Sequence, residues 1–199
     1  MYLGFGLYIV LFKSDVAKAF LNLPAHPVWQ IHQAVIVDGH FHLVRRLVFG
    51  IRTSPRCWCS VSGLLCWFGV VKLGIAGLHV YMDDFYGWDF KCNLVFYHGQ
   101  LRPHHQVQLL VFWESIRCPF EDEKQLDGAR LKIIGFWVDA IKGSISLTSK
   151  SIQALVSDIN TFLSTPNRKP ALSIWQHLTG SLNWSLNVLP CTHPGLTEM

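Results

Sequence analysis

The sequence predicts an α+β fold, an antiparallel sheet with helices packed against it. Short apolar runs bounded by turn residues, such as Leu78 to Tyr81 and Phe85 to Gly87, read as hairpin strands. Longer stretches carry apolar residues three and four apart, among them Leu109, Leu110, Phe112, Trp113 and Ile116, and read as amphipathic helices. The 199 residues contain no internal repeat or low-complexity segment and suffice for one good core and a subdomain.

The elements follow in order. Leu7 to Phe12 is almost unbroken apolar, which predicts a strand buried on both faces. Asp15 then stands at the exit of that strand, where an unpaired charge is costly and a cation is welcome. Ile31 to Val37 and Phe41 to Leu47 flank Asp38-Gly39, a strong hairpin signal. Gly50 permits close backbone approach, Ser54 suits an N-cap and Pro55 the first helical position, predicting a helix over 55–72. The strands around Met82 place Asp83 and Asp84 at a hairpin tip. A helix over 106–116 should pack under the sheet. Arg130 to Asp139 and Ser144 to Leu147 read as a hairpin about Lys142-Gly143. Ser149 suits the cap of a helix with Ile152, Leu155, Ile159 and Phe162 on one stripe. Pro166 and Pro170 bracket a loop, and a last helix carries Trp175, Leu178, Leu182, Leu186 and Leu189 to an end near Pro190. Both stripes read as core.

Composition narrows the function classes. Half the residues are hydrophobic and only 15% charged, which excludes a disordered chain. The net charge of +4 suits a nucleic-acid groove without demanding one. Met1 to Phe12 is too short to span a bilayer and lacks a basic leader region, and Lys72, His79 and several glycines spoil 61–80 as a span. The expectation is an intracellular protein, cytoplasmic or nuclear, with no membrane partner. Six cysteines form no CxxC pair and read as reduced thiols, several in the core. His40 and His42, like the adjacent His104 and His105, lack the partners of a zinc site.

Two strand-end carboxylate sites, one at Asp15 and one at Asp83 and Asp84, are what a two-metal phosphoryl-transfer centre needs, with ions roughly 3.5–4 Å apart. Oxygen-only ligands favour Mg²⁺ or Mn²⁺. The plain alternative is a solvated turn, since Asp is common there.

The order of these motifs resembles the reverse transcriptases of retroelements. Asp15 followed five residues on by Phe20 looks like their first catalytic motif. Phe49-Gly50-Ile51-Arg52-Thr53-Ser54-Pro55 looks like the template and nucleotide-pocket motif, and Tyr81-Met82-Asp83-Asp84 matches the signature hairpin. Lys124 looks like the lysine of the fourth motif, and Ile134-Gly135 lies in a pair of strands like the primer grip. The tail from Gln176 to Trp184 is similar to polymerase fragments of fungal retrotransposons. Val48 departs from the proline common at that place.

The resemblance implies a polymerase palm over 1–140, with a residual fingers hairpin over 31–47, and a primer-grip end and partial helical thumb over 141–199. The fingers are expected to be largely missing. It implies transfer of deoxynucleotides to a primer 3′-hydroxyl on an RNA or DNA template. Asp15, Asp83 and Asp84 would be both catalytic and metal-binding, holding two Mg²⁺ or Mn²⁺ ions. Lys124 would protonate pyrophosphate, or be a solvated lysine. Val16, Phe20, Phe49, Gly50, Arg52, Tyr81 and Met82 would contact nucleotide or template, Phe20 serving as a sugar gate or as core. Arg46 or Arg52 would touch phosphates; Arg45 stays undecided. Partners would be template-primer and deoxynucleotide triphosphates, with fingers or ribonuclease H segments on other chains. The rival reading is a catalytically silent remnant that keeps the palm fold and at most binds nucleic acid or protein.

Overall fold

The structure is a computed structural model describing residues 8–189. Leu7, Pro190 and Cys191 lie outside the described residues. The chain divides into two compact units, Met1–Ile134 and Gly135–Met199.

The first unit opens with β1 (Ile9–Asp15), followed by a 3₁₀ turn (Ala19–Asn22) and a short α1 (Pro27–Gln30). Next come β2 (Ala34–Val37), β3 (His40–Leu43), α2 (Thr53–Val71), β4 (His79–Tyr81) and β5 (Asp84–Phe90). The unit continues through β6 (Leu94–Tyr97), β7 (Gln100–Pro103), α3 (His104–Ser115), β8 (Leu126–Gly128) and β9 (Arg130–Ile133). Four strands form the main sheet in the order β4-β5-β1-β8, with β1 antiparallel to both neighbours. β2–β3 and β6–β7 are separate hairpins. The fold is α+β.

Helices α2 and α3 close the core. Phe12 and Phe85 from the sheet meet Trp58 and Leu65 of α2 and Leu109, Leu110 and Trp113 of α3, all buried. Phe85 presents its edge to Trp113 at 4.9 Å between centroids. Each such side chain contributes about 1.5–3 kcal/mol on burial, so the sheet is anchored where β5 leaves the Asp83–Asp84 turn. Asp89 ties β5 to α3. It is buried, and its Oδ2 accepts the His105 N–H at 2.9 Å, supplying a cap that the sequence before α3 lacks.

In the second unit β10 (Phe136–Asp139) pairs with β11 (Ser144–Leu147), and α4 (Ser149–Ser164) and α5 (Leu172–Ser185) follow. Phe136 stacks on Trp184 at 4.4 Å and Phe162 on Trp175 at 4.9 Å. No described helix is long and apolar enough to cross a membrane.

Several local expectations are corrected. The first strand begins at Ile9 and keeps Asp15 as its last residue. Its burial alternates: Val10, Phe12 and Ser14 are covered, while Leu11, Lys13 and Asp15 are only half-buried. The apolar run is therefore one covered face plus a partly open one. Ser54 is not the cap of α2. The helix starts at Thr53, two residues before the expected Pro55, and Ser54 is buried in the first turn with its hydroxyl unpartnered. Thr148, not Ser149, caps α4, accepting the Ser151 N–H at 3.1 Å. The strand expected over 130–139 breaks at Ile134 and Gly135, which both take positive φ, 47° and 84°. The described cysteines are free. Cys57, Cys59 and Cys92 are exposed, and Cys66 and Cys118 are half-buried, so none is a full core residue. Burial pushes the Cys118 thiol up to about 11.

Candidate active site

The register of two strands makes the site. β1 and β5 run antiparallel with Asp15 directly opposite Asp84. Val16 donates its N–H to the Asp83 carbonyl at 3.3 Å, so the exit of β1 is tied to the turn. Tyr81 pairs with Asp84 across β4 and β5, leaving Met82 and Asp83 as a two-residue hairpin loop. Such loops need positive φ, and Met82 supplies it at 58°. That conformation costs a residue with a side chain about 1–2 kcal/mol. Trp58 offsets the cost: its buried indole N–H donates to the Met82 carbonyl at 2.9 Å.

The electrostatics follow from this convergence. The Asp15 carboxyl is held above its ordinary value by burial first, then by the negative charges of Asp83 and Asp84. Lys124 and Lys13 oppose the shift. Lys13 Nζ lies 2.9 Å from Asp84 Oδ1. Lys124 Nζ lies 3.0 Å from Glu121 and 3.8 Å from Asp15 Oδ2. Glu121, ahead of Asp15 and Asp83, raises the Lys124 ammonium above its ordinary value. The carboxylate oxygens are hard donors under mutual repulsion, a chemistry that fits Mg²⁺ or Mn²⁺. Among the described residues, however, no three His, Cys, Asp or Glu side chains are gathered to hold a metal ion by themselves. Mg²⁺ ordinarily takes one or two carboxylates and completes its shell with water and substrate phosphates, so a closed protein cage is not required.

A cavity of about 350 Å³ opens beside the turn. Phe20, Val48, Phe49, Gly50 and Pro55 form one part of its wall, and residues 81–84 the other. Phe20 is buried on its 3₁₀ turn and meets the exposed Phe49 edge-on at 4.8 Å. Gly50 has φ 87°, a conformation glycine adopts freely, and a side chain there would meet open space. Arg52 is exposed at the N-terminus of α2, with Arg45, Arg46 and Arg56 also exposed nearby in sequence. Arg46 already donates to the Asn22 carbonyl at 3.2 Å.

The structure thus brings together Asp15, Val16, Asp83, Asp84 and Lys124, and lines the adjoining cavity with Phe20, Phe49, Gly50, Tyr81 and Met82 beside Asp83 and Asp84. Ile134 ends the first unit and Gly135 begins the second. In the second unit Gly135 packs so closely on Trp184 that a Cβ would come within 3.0 Å of the indole. Sequence reasoning missed Lys13, Trp58 and Gln125. Lys13 had a signal, being two residues before Asp15 and so on the same face of a strand. Trp58 and Gln125 had none, because the main-chain atoms they hold at the site, on Met82 and Asp15, are distant in sequence.

No protein-family model matches this sequence, and no curated protein matches it. Solved structures do. The foamy viral protease-reverse transcriptase in complex with an RNA/DNA hybrid is similar at 18% identity and a TM-score of 0.57, covering 96% of this chain and 24% of that one. A second structure of the foamy viral enzyme, in complex with double-stranded DNA, has 18% identity and a TM-score of 0.59, covering 95% of this chain and 30% of that one. A third, also with double-stranded DNA, has 20% identity and a TM-score of 0.56, covering 95% of this chain and 36% of that one. The fold is therefore that of part of a reverse transcriptase. The chain spans about a quarter to a third of the length of these neighbours.

Proposed function

We propose that this chain is the catalytic core of a reverse-transcriptase-like nucleotidyl transferase, adding deoxynucleotides to a primer 3′-hydroxyl on an RNA or DNA template. The observation that carries this reading is the pairing of Asp15 with Asp84 beside Asp83, within a fold shared with the foamy viral enzyme. The nucleic acids bound in those foamy viral structures favour a template-primer as the partner here.

Asp15, Asp83 and Asp84 would hold two Mg²⁺ or Mn²⁺ ions, with the Val16 main chain beside them. Ions held there would supply acidification of the primer hydroxyl and charge stabilisation for the triphosphate and leaving pyrophosphate. The chain's own residues orient the reactants. Lys124 brings an ammonium to the Asp15 side of the site, and on this reading it would give a proton to the leaving pyrophosphate. Phe20 and Phe49 line the cavity; on this reading they would bound the sugar, with Phe20 excluding a 2′-hydroxyl. Tyr81 and Met82 flank the primer end. Arg52 and the Gly50 turn face template or triphosphate, and Ile134-Gly135 supports the primer.

A second reading is a silent core that binds nucleic acid without turnover. It draws on the Lys13–Asp84 and Lys124–Asp15 ion pairs, which offset part of the negative charge of the acidic set without a metal. Homopolymer primer extension with Mg²⁺ and with Mn²⁺ separates the two. Extension lost in both Asp15→Asn and Asp83→Asn supports catalysis. Duplex binding with no extension under either metal supports the silent core.

A further inference from the structure

A β-strand presents the N–H and C=O of alternate residues to the same edge. On β1, Leu11 and Lys13 lie opposite Gly128 and Leu126 of β8, and the next residue to reach that edge is Asp15. β8 begins at Leu126, and the chain before it is a 3₁₀ turn, Asp122–Lys124. The ladder therefore stops one step short of the proposed catalytic carboxylate. The Gln125 side chain completes it. Asp15 donates its N–H to Gln125 Oε1 at 3.3 Å, and Gln125 Nε2 donates to the Asp15 carbonyl at 3.2 Å. One primary amide replaces the missing peptide group.

The replacement is built in. Gln125 is 4% exposed, and its Nε2 also donates to the Glu121 carbonyl at 2.9 Å. Its main-chain carbonyl accepts from Arg102 Nη1 at 2.7 Å, and Arg102 Nη2 donates to the Asp122 carbonyl at 3.2 Å. Arg102 lies on β7 and is 1% exposed; its two terminal nitrogens hold the two carbonyls that bracket Lys124 in sequence, while its Nε has no hydrogen-bond partner. A buried guanidinium is costly unless its donors are used. The same short turn thus fixes the backbone of Asp15 and carries the ammonium 3.8 Å from the Asp15 carboxylate.

We infer that Gln125, backed by Arg102, is a positioning residue that sets the Asp15 carboxylate and the Lys124 ammonium relative to each other. This rests on the nucleotidyl-transfer reading for its use, though not for its geometry. Gln125→Leu leaves a buried N–H and C=O without partners and frees the end of β1. Gln125→Asn keeps the amide but is one methylene too short to reach.

Two measurements on the full chain test it. The first is amide hydrogen exchange in metal-free buffer. Both variants should speed exchange at Asp15 by roughly tenfold or more, with Leu11 and Lys13 nearly unchanged, as expected for local rather than global opening. The second is Mn²⁺ affinity, read by water-proton relaxation. It should fall about 10–100-fold, the usual effect of removing a residue that orients a ligand. Arg102→Lys, which keeps charge but loses the fork, should shift both in the same direction by less. An Asp15 amide that stays protected in both Gln125 variants overturns the inference. So does exchange that rises equally along all of β1, which marks a purely structural role. Absent Mn²⁺ binding in the unaltered protein overturns the metal reading, and the exchange result then decides the clamp alone.

Discussion

Lys13 Nζ sits 2.9 Å from Asp84 Oδ1, on the strand pair whose register sets Asp15 opposite Asp84. A lysine of β1 thus holds one of the carboxylates proposed to bind metal. The pair is one-fifth to one-quarter exposed, so it is only partly screened by solvent. Lys13→Met removes that charge. It should lower stability in metal-free buffer at neutral pH and enlarge the gain in melting temperature on adding Mn²⁺. Thermal unfolding with and without Mn²⁺ measures both, and an unchanged Mn²⁺ response would detach Lys13 from the site.

Asp15 gives a pH signature. Burial and then Asp83 and Asp84 raise its carboxyl above the ordinary 3.8, so the folded protein binds this proton more tightly than the unfolded chain. That contribution favours the fold fully below the unfolded value and is lost as pH rises through the folded one. Asp15→Asn should therefore stabilise the metal-free protein at neutral pH, with the advantage shrinking toward the acid end. Urea unfolding across pH checks it; a pH-independent difference would show that charge is not the cause.

Gly87 lies on β5 against the ring of Phe12, where a Cβ would come within 2.7 Å of Phe12 Cζ. Phe12 is fully buried, so its ring has little room to retreat. Gly87→Ala should cost about 1–3 kcal/mol by overpacking, measured by chemical denaturation. A neutral result would mean the sheet can yield there.

Arg45, Arg52 and Arg56 are exposed near the Gly50 turn. If they meet phosphates, duplex affinity should fall steeply with salt, by roughly 0.9 in log affinity per log salt for each contact. Arg52→Ala should reduce that slope by about one and weaken binding evenly across sequences. Binding that ignores salt would remove these arginines from the interface.

Much of the site was legible because its signals are local. Asp83 and Asp84 stand between two apolar runs, and Asp38-Gly39 does form a hairpin, with φ 51° and 76°. The α+β class followed from periods of two and of three to four. What escaped depends on distant partners. β8 is three residues long and owes its place to β1, and the β6–β7 hairpin turns at His98-Gly99 without a strong apolar alternation. The cap of α3 comes from Asp89, sixteen residues before His105. Capping by Ser54 failed by two residues and by Ser149 by one, since Arg52 stands at the cap position of α2 and Thr148 accepts the bond at α4.

Asp15 and Asp83 are proposed to act together in template-directed nucleotidyl transfer. Single-turnover incorporation of one deoxynucleotide opposite a defined template base tests it most directly. Incorporation should require Mg²⁺ or Mn²⁺, follow the template base, and fall to background in Asp83→Asn while duplex binding persists. Incorporation by Asp83→Asn equal to that of the unaltered chain, or none by the unaltered chain with either metal, would contradict it.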